Sequence, residues 1–374
     1  MPSDTAAERD TRHLQRALEL AAEARGHTSP NPLVGAVIVK DGRTIGEGYH
    51  HRAGDPHAER MALAACSEDP AGATIYVTLE PCCHHGRTPP CTDAIVEAGI
   101  RRVVIASDDP TAHAAGRGPG ILRDEGIRVD HVDGEVEEAA RLLNQPFRKH
   151  ARTGRPLVVF KWAMTLDGKV ATASGDSKWI SSEASRMRSH RWRAECDAVA
   201  VGIGTALADD PQLTARVPDV DRQPRRVVFD STARLPLDST LVQTANEVPT
   251  VVVVTRAADR ATTQALEAAG VEIIRVQGST DSQRIYDALE QLGERGVQSV
   301  LLEGGPRLAG AFFDAGEIDE FHAFIAPIVA GGGRARAAIA GEGVDRIGAA
   351  ARATEVEVER IGDDVLITAR LKEW

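Results

Sequence analysis

The residues best suited to chemistry gather in the first quarter of the chain. His57-Ala58-Glu59 is followed by Pro81-Cys82 and then by Cys91. One imidazole and two thiolates suit Zn²⁺ and leave a fourth position for water. The metal lowers the pKa of that water toward neutrality and makes hydroxide available. A carboxylate two residues after the histidine, on the first turn of a helix, sits beside the metal without binding it. Glu59 is therefore the candidate to carry a proton from water to a leaving amine, which is the chemistry of a zinc deaminase acting on a nucleobase-like ring.

The spacing departs from the general deaminase pattern, H-x-E followed by P-C-x-x-C, because eight residues, CHHGRTPP, separate Cys82 from Cys91. Cys83 and the pair His84-His85 are alternative ligands, and Cys82 is preferred because it directly follows the proline. Two plainer readings compete. Clustered cysteines behave as small buried hydrophobes when they bind nothing. A purely structural zinc site takes four protein ligands and leaves Glu59 without a task. Cys66 and Cys196 have no ligand partners nearby in sequence and are read as core residues.

The elements that must position these groups alternate between helix and strand. Residues 11–25 have the spacing of an amphipathic helix with Leu14, Leu18 and Ala21 on one face. Strands are expected at 33–39 and 44–48, joined at Asp41-Gly42, and again at 73–78 and 102–106. Helices are expected at 57–66 and from a Thr92 cap to Gly99, with further signals to about Leu143. Residues 146–156, PFRKHARTGRP, are read as a linker. Beyond it, strands are expected at 157–163, 198–201, 226–230, 251–255, 271–276, 299–302 and 320–325, with helices at 182–194, 259–269, 281–292 and 307–314. Both halves are thus expected to be α/β, as a deaminase domain of residues 1–148 and a second domain of residues 149–374.

Composition limits the partners. The formal net charge is −11 and aromatic residues make up 4%, which argues against a nucleic-acid-binding surface built on basic side chains and stacked bases. Three of the five cysteines fall within ten residues, a pattern of metal binding or catalysis more than of disulfides. The N-terminus carries charges of both signs and no apolar segment, and the run Val248–Val254 is too short to span a bilayer. A cytoplasmic protein with no membrane partner is expected.

The second half shows no G-x-G-x-x-G fingerprint. Gly202-x-Gly204 is read as a tight turn. Gly304-Gly305 stands between a strand and a helix, a context that suits a diphosphate on backbone amides and also suits a plain turn.

HAE followed by TLEPCCHHGRTPPC closely resembles the deaminase domain of bifunctional riboflavin biosynthesis proteins, in which the long insert between the cysteines is typical. The resemblance extends over nearly the whole chain. It includes Asn31-Pro32-Leu33-Val34-Gly35, Gly48-Tyr49-His50, Thr165-Leu166-Asp167-Gly168-Lys169, Trp179-Ile180-Ser181, Arg193-Ala194, Gly204-Thr205, Asp209-Asp210-Pro211, Leu213-Thr214-Ala215-Arg216 and Glu303-Gly304-Gly305. It implies a cytidine-deaminase-like α/β/α layered domain, then a dihydrofolate-reductase-like α/β domain. It implies two consecutive reactions. The first is deamination of 2,5-diamino-6-ribosylamino-4(3H)-pyrimidinone 5′-phosphate. The second is reduction of the ribosyl group to ribityl with NADPH.

Carried over position by position, the resemblance implies one zinc per chain on His57, Cys82 and Cys91, with Glu59 as proton shuttle. Cys83 stands where the family usually has serine. Asn31, His50, His84, Arg87 and Asp109 match positions that contact the deaminase substrate. Ser177, Arg193, Leu213, Arg216 and Glu303 match contacts to the ribosyl phosphate, and the two arginines suit a phosphate clamp. Ala163, Trp179, Thr205, Asp209 and the run Gly305, Pro306, Arg307, Leu308, Ala309, Gly310 and Ala311 match NADPH contacts. Lys161 and Asp167-Gly168-Lys169 are expected to line the same cleft without an assigned role. Arg256 is the candidate cation for a 2′-phosphate. The family also implies a homo-oligomer. The alternative is a zinc deaminase of nucleic acid or nucleotide whose C-terminal domain is not catalytic.

Overall fold

The computed structural model describes residues 5–84, 89–112, 114–218, 220 and 222–374. The chain divides into two compact units, Met1–Thr153 together with Trp374, and Gly154–Glu373. Among the described residues no helix is long and apolar enough to cross a membrane.

The first unit is built on strands β1 (Gly35–Lys40), β2 (Arg43–Tyr49), β3 (Thr74–Val77), β4 (Arg102–Ile105) and β5 (Arg128–His131). Their order is β2-β1-β3-β4-β5, with β1 antiparallel to both neighbours and β3, β4 and β5 parallel. Strand alternation sends Val37, Val39, Tyr76 and Val104 to one face and Ala36, Ile38, Ile75, Val77, Val103 and Ile105 to the other. Helices α1 (Ala6–Ala22) and α5 (Glu135–Leu143) cover the first face through Leu14, Ala17, Leu20, Val136 and Ala140. Helices α2 (Ala58–Ala64), α3 (Cys91–Glu97) and α4 (Arg117–Asp124) cover the second through Ala58, Ala62, Ile95 and Leu122. This is the α/β/α layering expected.

Two expectations in this unit are corrected. Residues 145–153 form a helix, α6 (Gln145–Thr153), where a linker was expected over 146–156. Pro146 lies in its first turn, where a missing N–H costs nothing, and Gly154, at φ +71°, ends it in the left-handed conformation. Thr92 does not cap α3; Pro90 does, and Thr92 is buried in the first turn.

The second unit holds β6 (Leu157–Thr165), α7 (Glu183–Glu195), β7 (Ala198–Gly202), α8 (Ile203–Asp209), β8 (Arg225–Phe229), α9 (Thr240–Gln243) and β9 (Thr250–Val254). It continues with α10 (Arg260–Ala268), β10 (Glu272–Arg275), α11 (Asp281–Glu294), β11 (Ser299–Leu302), α12 (Pro306–Asp314), β12 (Glu320–Ala326), β13 (Glu355–Ile361) and β14 (Asp364–Arg370). The nine strands run β10-β9-β8-β7-β11-β6-β12-β14-β13. All are parallel from β10 to β12, and β14 and β13 add an antiparallel hairpin. Val158, Phe160, Ala200, Val227, Val300 and Leu302 face α11 and α12 in the main core. The opposite face carries Lys161 and Ala163 on β6 and Phe324 on β12, against Trp192 of α7.

The hairpin was not expected. Val356 and Val358 alternate with Glu355, Glu357 and Glu359, and all five are exposed, so the usual buried stripe is missing. Gly202-x-Gly204 is also corrected from a tight turn. Gly202 is the N-cap of α8, which buries Ile203 and Ala206.

Candidate metal centre and nucleotide crevice

In the first unit, close contact between β2 and α2 sets the site. A Cβ on Gly48 would stand 2.4 Å from the Ala62 amide nitrogen, and one on Gly46 would stand 2.4 Å from the Ala62 carbonyl oxygen. Only glycine lets the helix lie directly on the strand. His57 is the N-cap of α2 and Glu59 lies in its first turn. Cys82 follows β3, and Cys91 opens α3.

These segments bring one imidazole nitrogen and two sulfurs within 4.8 Å of one another. His57 Nδ1 stands 3.4 Å from Cys82 Sγ and 3.3 Å from Cys91 Sγ. The ligand-to-ligand edge of a tetrahedral zinc site with Zn–N and Zn–S bonds of ordinary length is about 3.5 Å. The donor set therefore fits a zinc ion. The Cys91 amide donates to Cys82 Sγ at 3.3 Å, and its carbonyl partner on the same residue, Cys82 O, is at 3.1 Å. Without a metal, hydrogen bonding from the Cys91 thiol holds the Cys82 thiol low, and the same contact together with burial pushes Cys91 up. Hydrogen bonding to Cys82 raises His57.

Glu59 is 3% exposed. Burial, with a further push from the Cys82 charge, raises its carboxyl to about 7. A group poised there takes and returns a proton near neutral pH. Arg60, the next residue, gives its guanidinium to the carbonyls of Pro89 (3.3 Å) and Pro90 (2.9 Å) and so steadies the segment that delivers Cys91. Sequence reasoning missed Arg60; its position immediately after the H-x-E carboxylate was the available signal.

Of the other expected deaminase residues, Asn31 and His50 are joined. His50 Nδ1 lies 3.2 Å from the Pro56 carbonyl, so it is the protonated nitrogen, and Nε2 accepts from Asn31 Nδ2 at 3.0 Å. Burial keeps the His50 ring neutral by lowering its pKa. The ring stands edge-on to His57, with centroids 5.4 Å apart. The amide of Asn31 is thereby oriented. Asp109 Oδ1 accepts from the Thr111 amide (2.8 Å) and hydroxyl (2.6 Å), and Oδ2 takes no hydrogen bond from the described residues. His84 is exposed, and Arg87 lies outside the described residues. Cys83 is half-buried and does not join the donor cluster. Cys66 and Cys196 are half-buried rather than fully buried; Cys66 Sγ donates to the Ala62 carbonyl at 3.4 Å.

In the second unit the crevice follows from strand order. From β7 the chain moves outward through β8, β9 and β10, whereas β11 returns between β7 and β6 and leads to β12 on the far side. Ligands of open α/β sheets bind at the carboxyl ends of strands where the order reverses, here β7 and β11. Gly202 ends β7 and opens α8, and Gly305 caps α12 just beyond β11. A Cβ on Gly305 would stand 3.3 Å from Thr205 Oγ1, so the two helix starts adjoin. Within the expected run, Ala309 is fully buried in the core and Gly310 packs on the Ala340 carbonyl, so neither offers a side chain to a ligand.

Glu303 lies between these strands and α7. Its carboxylate takes both prongs of Arg193, at 2.6 and 2.9 Å, and faces Lys161 Nζ at 3.8 Å. Burial alone would raise this carboxyl, but the Arg193 and Lys161 charges overcome it and hold the group at about 2. Arg193 also donates to the Thr214 carbonyl, and exposed Arg216 reaches Gln212 and Thr214 Oγ1. Leu213 is buried at φ +54° and Ser177 is half-buried. Trp179 is 71% exposed with the Arg186 guanidinium 4.6 Å over its ring. Asp209 pairs with Lys178 at 3.8 Å, Ala163 packs beside Phe324, and Arg256 bonds Gln277. Asp167 now has a role. Its carboxylate accepts from the Thr165 hydroxyl and from the amides of Ala330 and Gly331, which hold it at about 2 and tie the two loops together.

Comparison with known proteins finds relatives of both units. Residues 7–107 match the cytidine and deoxycytidylate deaminase zinc-binding region, and residues 156–367 match the RibD C-terminal domain. The riboflavin biosynthesis protein RibD of Actinobacillus pleuropneumoniae is 45% identical over 96% of this chain and 94% of its own length. That of Aquifex aeolicus is 42% identical over 96% and 97%. The solved Acinetobacter baumannii RibD superposes with a TM-score of 0.86 at 38% identity, covering 98% of this chain and all of the other. A diaminohydroxyphosphoribosylaminopyrimidine deaminase/5-amino-6-(5-phosphoribosylamino)uracil reductase from Thermotoga maritima superposes with a TM-score of 0.85 at 36% identity, with the same coverage. A cytidine-deaminase-like unit and a RibD reductase unit on one chain, with relatives alike over almost their full length, mean that this chain belongs to the RibD family of bifunctional deaminase–reductases of riboflavin biosynthesis.

Proposed function

We propose that the first unit removes an amine from 2,5-diamino-6-ribosylamino-4(3H)-pyrimidinone 5′-phosphate. The second unit then reduces the product with NADPH to 5-amino-6-ribitylamino-2,4(1H,3H)-pyrimidinedione 5′-phosphate. The observation that carries this reading is the convergence of His57, Cys82 and Cys91 on one point with a buried carboxylate, Glu59, beside them. A structural zinc site would have no use for that carboxylate. In this reading the deaminase domain, residues 1–148, and the reductase domain, residues 149–374, divide within the stretch of chain that forms α6.

His57 Nδ1, Cys82 Sγ and Cys91 Sγ would hold the zinc. Zinc in such a set acidifies water and supplies hydroxide near neutral pH. Glu59, buried beside the donors, accepts the proton that water gives up and returns it to the departing amine. Asn31, oriented by His50, and the open Oδ2 of Asp109 pair with ring donors and acceptors, while His84 and Arg87 meet the phosphate. In the second unit the amides at the start of α12 and the neighbouring Thr205 receive the NADPH diphosphate. Trp179, Asp209 and Ala163 line the cofactor. Ser177, Leu213, Arg216 and the Arg193–Glu303 pair face the ribosyl phosphate. Hydride transfer there depends on holding the two reactants in place. A site built on two thiolates suits a reducing, cytoplasmic compartment, and a homo-oligomer is part of the same reading.

The test is incubation of the purified chain with the diaminopyrimidinone phosphate, with and without NADPH, followed by mass measurement. Deamination raises the mass by about one unit, and reduction by about two more, because an amine is exchanged for oxygen and then a hydride and a proton are added. No mass change with the zinc-loaded chain would overturn the reading. A first step without a second would leave the C-terminal unit non-catalytic.

A further inference from the structure

Asp109 stands on the segment 107–111, which follows β4 and includes no metal donor. Two charged residues outside the donor set, Glu80 and Arg148, grip the backbone of this segment and of the turn that follows it. Glu80 is 9% exposed and lies one residue before Pro81-Cys82. Its amide donates to the Ser107 carbonyl at 3.1 Å. Its carboxylate accepts the Gly116 amide at 2.8 Å. Arg148, on α6, is fully buried. It gives Nη1 to the Asp108 carbonyl at 2.8 Å and Nη2 to the Asp108 carboxylate at 2.9 Å. Its Nε goes to the Trp374 carbonyl at 2.6 Å, so the guanidinium is held from both sides. The approach is tight elsewhere too: a Cβ on Gly118 would stand 2.1 Å from the Pro81 carbonyl oxygen.

Burying a carboxylate and a guanidinium is costly, and a fold that needed only packing would fill these places with apolar side chains at less cost. What the two ions add is position. Glu80 is covalently two residues from Cys82 and is hydrogen-bonded to Ser107 and Gly116, on either side of Asp109, so it ties the metal loop to the recognition loop by a short, stiff path. Arg148 fixes the adjoining residue from the other side. We propose that Glu80 and Arg148 form a two-point clamp that sets where the Asp109 carboxylate stands relative to the metal donors, and so act as positioning residues for ring recognition in deamination. This rests on the reading that Asp109 Oδ2 meets a donor of the substrate ring.

The experiment measures deamination of the diaminopyrimidinone phosphate by the zinc-loaded full chain without NADPH, with zinc content determined for each variant. Glu80→Ala is expected to raise KM about ten-fold with kcat changed less than about three-fold, the pattern of lost binding rather than lost chemistry. Zinc content stays at that of the unaltered chain. Glu80→Gln keeps an acceptor oxygen and recovers most of the loss. Arg148→Lys, which keeps the charge but not the fork, raises KM by about three-fold or more. In an Asp109→Ala background, Glu80→Ala adds less than about two-fold, because residues acting through one another are not additive. If Asp109→Ala raises KM and Glu80→Ala does not, the clamp is wrong while the Asp109 reading stands. If Asp109→Ala leaves KM unchanged, the Asp109 reading fails and takes the clamp with it. Loss of zinc in the folded Glu80→Gln chain would make Glu80 a support of the metal loop and overturn the proposal. Should Glu80→Ala not fold, the Glu80→Gln and Arg148→Lys chains, each alone and with Asp109→Ala, decide by the same KM criteria.

Discussion

The two units solve the problem of building a site in opposite ways. In the first, three side chains from two helix starts and one loop meet at a point, and their donor atoms already have the spacing of a metal site. In the second, the crevice is made mainly of backbone at the ends of β7 and β11, and its charged side chains, Glu303, Arg193 and Lys161, are spent largely on one another. A side-chain site is broken by one chemical change. A backbone site is broken only by changing its shape.

That contrast predicts a graded series. Removing zinc with a chelator should lower deamination by at least about 1,000-fold and leave reduction of the deaminated intermediate unchanged, with zinc restoring the first. Equal loss of both rates would show that the sites are not independent. Glu59→Gln should lower the deamination kcat by about 100-fold or more while zinc content stays the same. Gly305→Val places a branched side chain against Thr205 and the α12 start, and should weaken NADPH binding by about ten-fold in a fluorescence titration. Unchanged affinity would move the diphosphate away from α12. Gly48→Ala forces α2 off β2 and should cost the first unit about 1–3 kcal/mol, read by hydrogen exchange in those two elements.

The smallest effect is on acid stability. Glu303 is held at about 2 in the folded chain, well below the ordinary value of about 4.3. A depressed carboxylate adds stability above its unfolded value and loses it as pH falls through its folded value. The difference in unfolding temperature between the unaltered chain and Glu303→Gln should therefore be full above about pH 4.5 and shrink toward pH 2. A gap independent of pH in that window would assign the difference to packing.

The same contrast explains what could be read from the sequence. The donor set lies within 57–91, and its residue types are rare enough together to announce their chemistry before any fold is known. Regular strands such as Ser299–Leu302 were legible because apolar runs between turn residues have few other fates. The reductase crevice was not legible in this way, since a helix start or a Gly-Gly pair looks like many ordinary turns until strand order places two of them side by side. The roles of residues that work on backbone were not legible either. Arg60 and Asp167 were marked only by their places in motifs, because the main-chain groups they bind carry no sequence signal. The helix at 145–153 was hidden by its proline, and the C-terminal hairpin by valines that stay exposed.

The position of β11 has a consequence for how the chain comes into being. β11 sits in the middle of its sheet, yet it is made after β6, β7, β8, β9 and β10, and Ser299 must find Leu157 across all of them. The sheet of the first unit pairs mostly near neighbours and can form while the ribosome is still producing the second unit. The second must keep a strand-wide gap between β6 and β7 until β11 arrives, a long loop closure that makes it the slower folder. Birth order on the ribosome therefore puts the sheet of the first unit ahead of the sheet of the second, while Trp374, made after both sheets, completes the first unit by taking the Arg148 guanidinium.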